Sequence, residues 1–200
     1  MQSFKIIKPI HILTPYVRYY WILEDGADVS VSERTLPTGC IQLVFHRGKR
    51  LLLVGKKESQ PQAFICGQCL NFSDVMSAGK IEMITVVFQP YAARAILQLP
   101  LKFFYGELIA VDAIADLELS ILSRKVIEAD DHETCIRLIE QFLIHRLYRF
   151  EGYEYNLKRI SAVLHQINEQ AKTNISELSE TACLSSKPVS YTHLTLPTSD

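Results

Sequence analysis

The sequence has no apolar run close to the length of a bilayer span. Stretches such as residues 51–54 and 84–88 fall far short of the roughly 20 residues a membrane helix needs. Lys5, Lys8 and His11 interrupt residues 1–13, so no continuous apolar core of a secretory signal forms and export is not expected. Neither charge is in excess: 21 Lys and Arg stand against 22 Asp and Glu, a formal net charge of −1. With glycine and proline at eight each, this composition excludes collagen, an intrinsically disordered chain and a basic nucleic-acid tail. The five cysteines, Cys40, Cys66, Cys69, Cys135 and Cys183, are an odd, irregularly spaced set, which suits reduced thiols in a cytoplasmic protein better than a disulfide framework. What is present is 48% hydrophobic side chains in 200 residues, enough for one domain with a core and a smaller second unit. There is no internal repeat and no low-complexity tract.

Residues 16–88 carry short aromatic and β-branched runs separated by turn formers at Asp25-Gly26, Pro37-Thr38-Gly39, Arg47-Gly48 and Ser59-Gln60-Pro61. In residues 16–24, Val17, Tyr19, Trp21 and Leu23 alternate with Tyr16, Arg18, Tyr20 and Ile22; further on, Ile41, Leu43 and Phe45 alternate with Gln42, Val44 and His46. A period of two predicts half-buried strands. Further strands are expected at residues 50–54, 63–66 and 81–88, and strands this short and frequent predict an antiparallel sandwich or a barrel-like sheet.

Beyond residue 88 the period changes. Pro90 can open a helix that Pro100 must end. Asp116 is placed to cap a second helix bearing Leu119, Leu122 and Val126, and Asp131 a third bearing Ile136, Ile139, Leu143 and Leu147. These helices are expected to cover the sheet, giving an α+β fold. A polar stretch at residues 150–156 precedes a new amphipathic pattern, Leu157, Ile160, Val163, Leu164 and Ile167. The domain boundary is placed there, between residues 1–150 and a separate all-α segment over residues 151–187. Residues 188–200 are Thr-rich, hold two prolines and show no helical period, and are read as a non-native tail.

The segment from Lys172 to Lys187 carries the most information. A polar turn at Thr173-Asn174 leads into a short helix from Ile175 or Ser176 through Ala182, followed by Cys183-Leu184-Ser185-Ser186. A helix-turn-helix needs two short helices, a tight turn and a cap restarting the second, whose N-terminus enters the major groove. Ile175, Leu178 and Leu184 supply a small core and Ser185 the cap, which makes Ser185, Ser186 and Lys187 the first DNA-facing residues.

Asn156-Leu-Lys-Arg-Ile160 through Ile175-Ser-Glu-Leu-Ser-Glu-Thr-Ala-Cys-Leu-Ser-Ser-Lys187 resembles the opening of the DNA-binding domain of an AraC-type transcriptional regulator. Upstream, Pro15-Tyr-Val-Arg-Tyr-Tyr-Trp21, Arg34-Thr-Leu-Pro-Thr-Gly-Cys-Ile-Gln-Leu-Val-Phe45, Phe64-Ile-Cys-Gly-Gln68 and Val87-Phe-Gln-Pro-Tyr-Ala-Ala-Arg-Ala95 resemble the N-terminal domain of one group of these regulators. The resemblance implies binding of promoter DNA through two helix-turn-helix units, under control of an N-terminal domain that takes a small-molecule effector or pairs with a second copy. The family often has alanine where Ser179 stands and glycine where Cys183 stands. The resemblance also implies a recognition helix continuing past Lys187 and a second helix-turn-helix, so a truncated regulator is expected here. Residues 151–185 hold three basic residues (Lys158, Arg159, Lys172) and five acidic ones (Glu151, Glu154, Glu169, Glu177, Glu180), a net of 3 minus 5, or −2. That balance repels phosphates, so the chain as given is expected to bind operator DNA poorly or not at all.

Other chemistry fits the sequence less well. Cys66-Gly-Gln-Cys69 has the spacing of a redox pair, but no helical period follows it and no second pair completes a zinc site; two semi-buried structural cysteines is the plainer reading. Asp130-Asp131 and His132-Glu133 fit helix capping better than acid–base catalysis, and no nucleophile elbow, phosphate-binding glycine loop or His-Glu-x-x-His motif is present. No enzyme activity, cofactor or metal is therefore expected. Tyr16, Tyr19, Tyr20 and Trp21 form an aromatic cluster beside which Gln42 and His46 present polar groups, so Tyr20, Trp21, Gln42 and His46 are the candidate effector pocket at a barrel mouth; sheet core with a solvent-facing polar pair is its alternative. Two rival functions stand beside regulation: a stand-alone small-molecule or protein interaction domain, and a thiol enzyme using Cys66 and Cys69.

Overall fold

A computed structural model describes residues 2–26, 32–56, 58–69, 71–77, 79–99, 105–106, 108–149, 154–169 and 173–183. The chain divides into two units, Met1–Phe150 and Glu151–Asp200. In the first, ten strands are described: β1 (Gln2–Ile7), β2 (Val17–Asp25), β3 (Ser32–Thr35), β4 (Gln42–His46), β5 (Leu52–Leu53), β6 (Glu58–Ser59), β7 (Ala63–Cys66), β8 (Ser73–Met76), β9 (Ile81–Phe88) and β10 (Leu108–Ala110). Helices α1 (Ala93–Leu97), α2 (Leu117–Glu128) and α3 (His132–Tyr148) complete it. The second unit holds α4 (Glu154–Glu169) and α5 (Ile175–Thr181).

The strands form two open antiparallel sheets, one ordered β1-β2-β9-β4-β7-β10 and the other β3-β8-β5-β6. Among the described residues neither sheet closes, so the barrel-like alternative gives way to two layers of sheet with helices: an α+β fold. The alternation in β2 and β4 holds from Tyr19 onward, because Tyr20, Val86 and Leu43 occupy one cross-strand row and Trp21, Thr85 and Val44 the next. Val17 is the exception. It was expected to share a face with Trp21, but the register shifts between Val17 and Tyr19, and this irregularity turns Val17 onto the face of Tyr20 and Ile22.

Each face of the larger sheet has its own core. On one, Tyr20, Ile22, Leu43, Phe45, Ile65, Ile84 and Val86 meet Leu119, Leu122 and Val126 of α2 and Ile139 and Leu143 of α3. On the other, Val44, Phe64 and Met83 meet Leu51 and Val75, with Trp21, Leu23 and Leu53 at the margin. The helices begin where the carboxylates dictate: Asp116 accepts from the Leu119 amide at 3.0 Å and Asp131 from that of Thr134 at 2.7 Å. Helix α1 is shorter than the interval between Pro90 and Pro100, because Gln98 takes a left-handed conformation (φ 53°) and ends it.

Two arginines tie the helices down. Arg146 of α3 pairs with the capping carboxylate of Asp116 and with Glu118 at the start of α2. Arg47, just past β4, pairs with Glu82 of β9 at 2.5 Å and donates to the Val126 carbonyl at 2.7 Å and to Cys135 Sγ at 2.9 Å. The neighbouring Gly48 crosses β9 so closely that a Cβ there would stand 2.7 Å from both the Glu82 nitrogen and the Lys80 oxygen. Both are backbone atoms that cannot swing aside. Gly48→Ala is therefore expected to destabilise the unit by about 2 kcal/mol, read from the urea midpoint, in the range of overpacked sites.

Candidate functional site

The four residues expected to form an effector pocket do not converge. Tyr20 is fully buried on the helix side of the sheet, where burial and the nearby Glu140 carboxylate push its phenol pKa well above the usual range. Trp21, Gln42 and His46 lie on the opposite face, since they alternate with or register against residues of that side: Trp21 with Thr85, Gln42 with Val87, His46 with Met83. Adjacent residues of a strand point to opposite faces, so Tyr20 and Trp21 cannot line one pocket from the same strand.

On the face between the sheets, His46 is the dominant polar group. Its ring is completely buried and lies 5.8 Å from the Phe64 ring, centroid to centroid. Its Nε2 meets Gln60 Oε1 at 2.9 Å, which places the ring proton on Nε2. Among the described residues, Nδ1 has no hydrogen-bond partner, and neither does Thr85 Oγ1, also fully buried. Gln42 turns outward to Thr38, donating at 3.1 Å. Thr85 is the residue sequence reasoning missed: Thr85 and Glu82 are the polar interruptions of the β9 run and could have been singled out for that reason. The cleft between the sheets is lined by Leu23, Leu51, Val75 and Ile81 with Asp25, Glu33 and Ser77, and none of the four expected residues lines it.

Burial lowers the His46 pKa to about 4, with the Arg50 charge adding to the effect and the Gln60 hydrogen bond opposing it. The sign follows directly. The unfolded chain takes up the proton near the ordinary value of about 6.5 and the folded chain does not, so stability falls with pH between those values. About 2 kcal/mol is expected to be lost from this group by about pH 5 relative to neutral pH. His46→Gln should flatten that part of the pH–stability profile; an unchanged slope would show that other groups cause it.

Cys66 ends β7 and Cys69 follows in the turn; both are half-buried. Among the described residues no helix starts there, and Ser73–Met76 form strand β8. His132 lies 3.1 Å from Glu82, and Asp131 is the α3 cap. Among the described residues no group of three or more His, Cys, Asp and Glu gathers as a metal site would require. No described helix is long and apolar enough to cross a membrane.

In the second unit, Asn174 caps α5 in a complete capping box: it accepts from the Glu177 amide at 2.9 Å, and the Glu177 carboxylate accepts from the Asn174 amide at 3.5 Å. Ser179 is buried and its hydroxyl donates to the Ser176 carbonyl at 2.7 Å. Arg159 of α4 reaches the carbonyls of Ala182 and Cys183, and Thr181 donates to Gln166 of α4. Cys183 takes a left-handed conformation, φ 50°. Ile175, expected in a small core, is instead 46% exposed. Ser185, Ser186 and Lys187, together with Leu184 and residues 188–200, lie outside the described residues. Because only glycine adopts positive φ freely, Cys183→Gly is expected to stabilise α5 by about 1 kcal/mol, seen as a higher urea midpoint.

Among curated proteins nothing matches. A crystal structure of ToxT from Vibrio cholerae O395 aligns over 94% of this chain and 73% of that one, at 8% identity and a TM-score of 0.38, a level of likeness that carries no argument. Residues 5–110, more than half of the chain, match the family model Domain of unknown function (DUF6597), and the chain belongs to that family.

Proposed function

We propose that the chain is the control domain and the opening of the DNA-binding domain of a cytoplasmic, AraC-type transcriptional regulator. The single observation carrying this reading is the α4–α5 unit. A longer amphipathic helix precedes a short one with a full capping box at Asn174, and α5 is followed by a left-handed residue at Cys183, the position where the regulator family often has glycine. The other departure, Ser179 for alanine, falls on a buried point of α5, and its hydroxyl is satisfied within the helix. Ser179 is thus satisfied within α5, and Cys183 takes the left-handed conformation that glycine adopts more freely, which supports the reading.

In this reading the complete protein binds promoter DNA, and the strand-rich unit controls it by taking a small-molecule effector or by pairing with a second copy. Control requires the effector to bind one arrangement more tightly than the other. The acidic balance of residues 151–185, net −2, means that the described helices do not supply the cations that displace counterions from DNA. A gel shift tests both statements. The chain as given should leave fragments of its own promoter region unshifted, and the product of the complete natural gene should retard them. Tight, salt-sensitive binding by the chain as given, or no retardation by the complete product, would overturn the reading.

A further inference from the structure

The turn after β7 holds two thiols on one acceptor. Cys66 Sγ lies 3.7 Å and Cys69 Sγ 3.6 Å from the carbonyl oxygen of the buried Gly67. The same turn is a junction. Gln68 accepts from the Gly106 amide at 2.9 Å, bridges to Tyr105, and donates through its side chain to the Gly39 carbonyl at 3.0 Å. It thereby joins the end of β7 to the segments that lead into β4 and β10.

We propose that Cys66 and Cys69 are a reversible redox site, a dithiol that a peroxide closes to a disulfide, and that closing it rearranges this junction. The balance is two thiols and one peroxide giving one disulfide and two waters, when the oxidant is hydrogen peroxide. The first sulfur attacks a peroxide oxygen, the O–O bond breaks, one water leaves and a sulfenic acid remains. The second sulfur then attacks the first, the S–S bond forms and the hydroxyl departs with a proton as the second water. The peroxide is reduced by two electrons and the pair of thiols is oxidised by two. Burial, reinforced by the neighbouring Cys69, raises the pKa of the Cys66 thiol, and whichever sulfur of the pair is oxidised first is resolved by the other. Once the bond forms, the buried Gly67 carbonyl loses both thiol donors together, and it must turn to find new ones. That is how oxidation reaches Gly39 and Gly106.

The site is independent of the regulatory reading, and its test uses the chain with the exposed Cys183 replaced by serine. After hydrogen peroxide and denaturation, two of the remaining four thiols should resist alkylation, the tryptic peptide of residues 58–80 that carries both Cys66 and Cys69 should be unalkylated and lighter by two hydrogens, and dithiothreitol should restore both thiols. With either of the two replaced by serine, no disulfide should form and dimedone should trap the sulfenic acid on the cysteine that remains. Hydrogen exchange of the Gly106 amide should quicken at least tenfold on oxidation. Four alkylatable thiols after peroxide, or a disulfide between other cysteines, would overturn the site, and an unchanged Gly106 amide would overturn its coupling to the junction. The disulfide map of the Cys183→Ser chain decides the first question even if the other serine variants do not fold.

Discussion

Phe45→Ala is expected to destabilise the strand-rich unit by about 4 kcal/mol, the largest effect of any single truncation considered. Phe45 is completely buried in β4, registers against Ile84 of β9 and Ala63 of β7, and belongs to the core that the helices cover. Removing its ring takes away the transfer free energy of a large aromatic group and leaves a cavity that two neighbouring strands, fixed by their ladder hydrogen bonds, cannot close. Phe45→Leu should cost much less, below about 1.5 kcal/mol, because most of the volume is kept. The readout is convenient. Trp21 is the only tryptophan and stands on the opposite face of the sheet, so its fluorescence follows urea unfolding without touching the mutated site. A loss below about 1 kcal/mol would mean that this face of the sheet is not the main core.

Arg47→Met should cost about 3 kcal/mol, for a different reason. The Arg47 side chain is only 9% exposed, and its guanidinium serves Glu82, the Val126 carbonyl and Cys135 together. Burial disfavours the charge, and the contacts with Glu82 and Cys135 together more than offset that. Methionine fills the volume but abandons the Glu82 carboxylate in a half-buried place. Breaking a buried pair typically costs about 3 to 5 kcal/mol, and the lower end applies because His132 still reaches Glu82 at 3.1 Å. Lysine should rescue little, since one ammonium cannot span three acceptors held by β9, α2 and α3. The double variant Arg47→Met, Glu82→Gln should recover a good part of the loss. If the two losses simply add, the pair is not coupled and the account of this tie is wrong.

The sequence made some of this legible and hid the rest for physical reasons. Strands β7 and β9 fell on the expected residues 63–66 and 81–88, because dense apolar runs bounded by turn formers leave little choice of register. The caps Asp116 and Asp131 were legible too, since capping is a local bargain between a carboxylate and nearby amides. Strands β1 and β3 were not. Ser32–Thr35 carries no apolar side chain and is exposed throughout, and it is a strand only because β8 lies beside it; tertiary pairing overrides its composition. Strand parity separates the pocket residues. An aromatic cluster read as one patch is split by alternation, so Tyr20 faces α3 while Trp21 faces the second sheet. Arg47 was read only as part of a turn, because a guanidinium that ties two helices to a strand leaves no mark in local spacing.

The central claim is that this chain belongs to a protein that reads DNA, and a salt titration of binding tests it most directly. The product of the complete natural gene should be titrated against a labelled fragment of its own upstream region, with fluorescence anisotropy recorded over a series of salt concentrations. The account predicts that log K falls linearly with log salt, with a slope magnitude of about 4 or more, as several phosphates are neutralised, and that an unrelated fragment binds at least about 1,000-fold more weakly. Binding that is absent at low salt, or equal for both fragments at every salt, would contradict it.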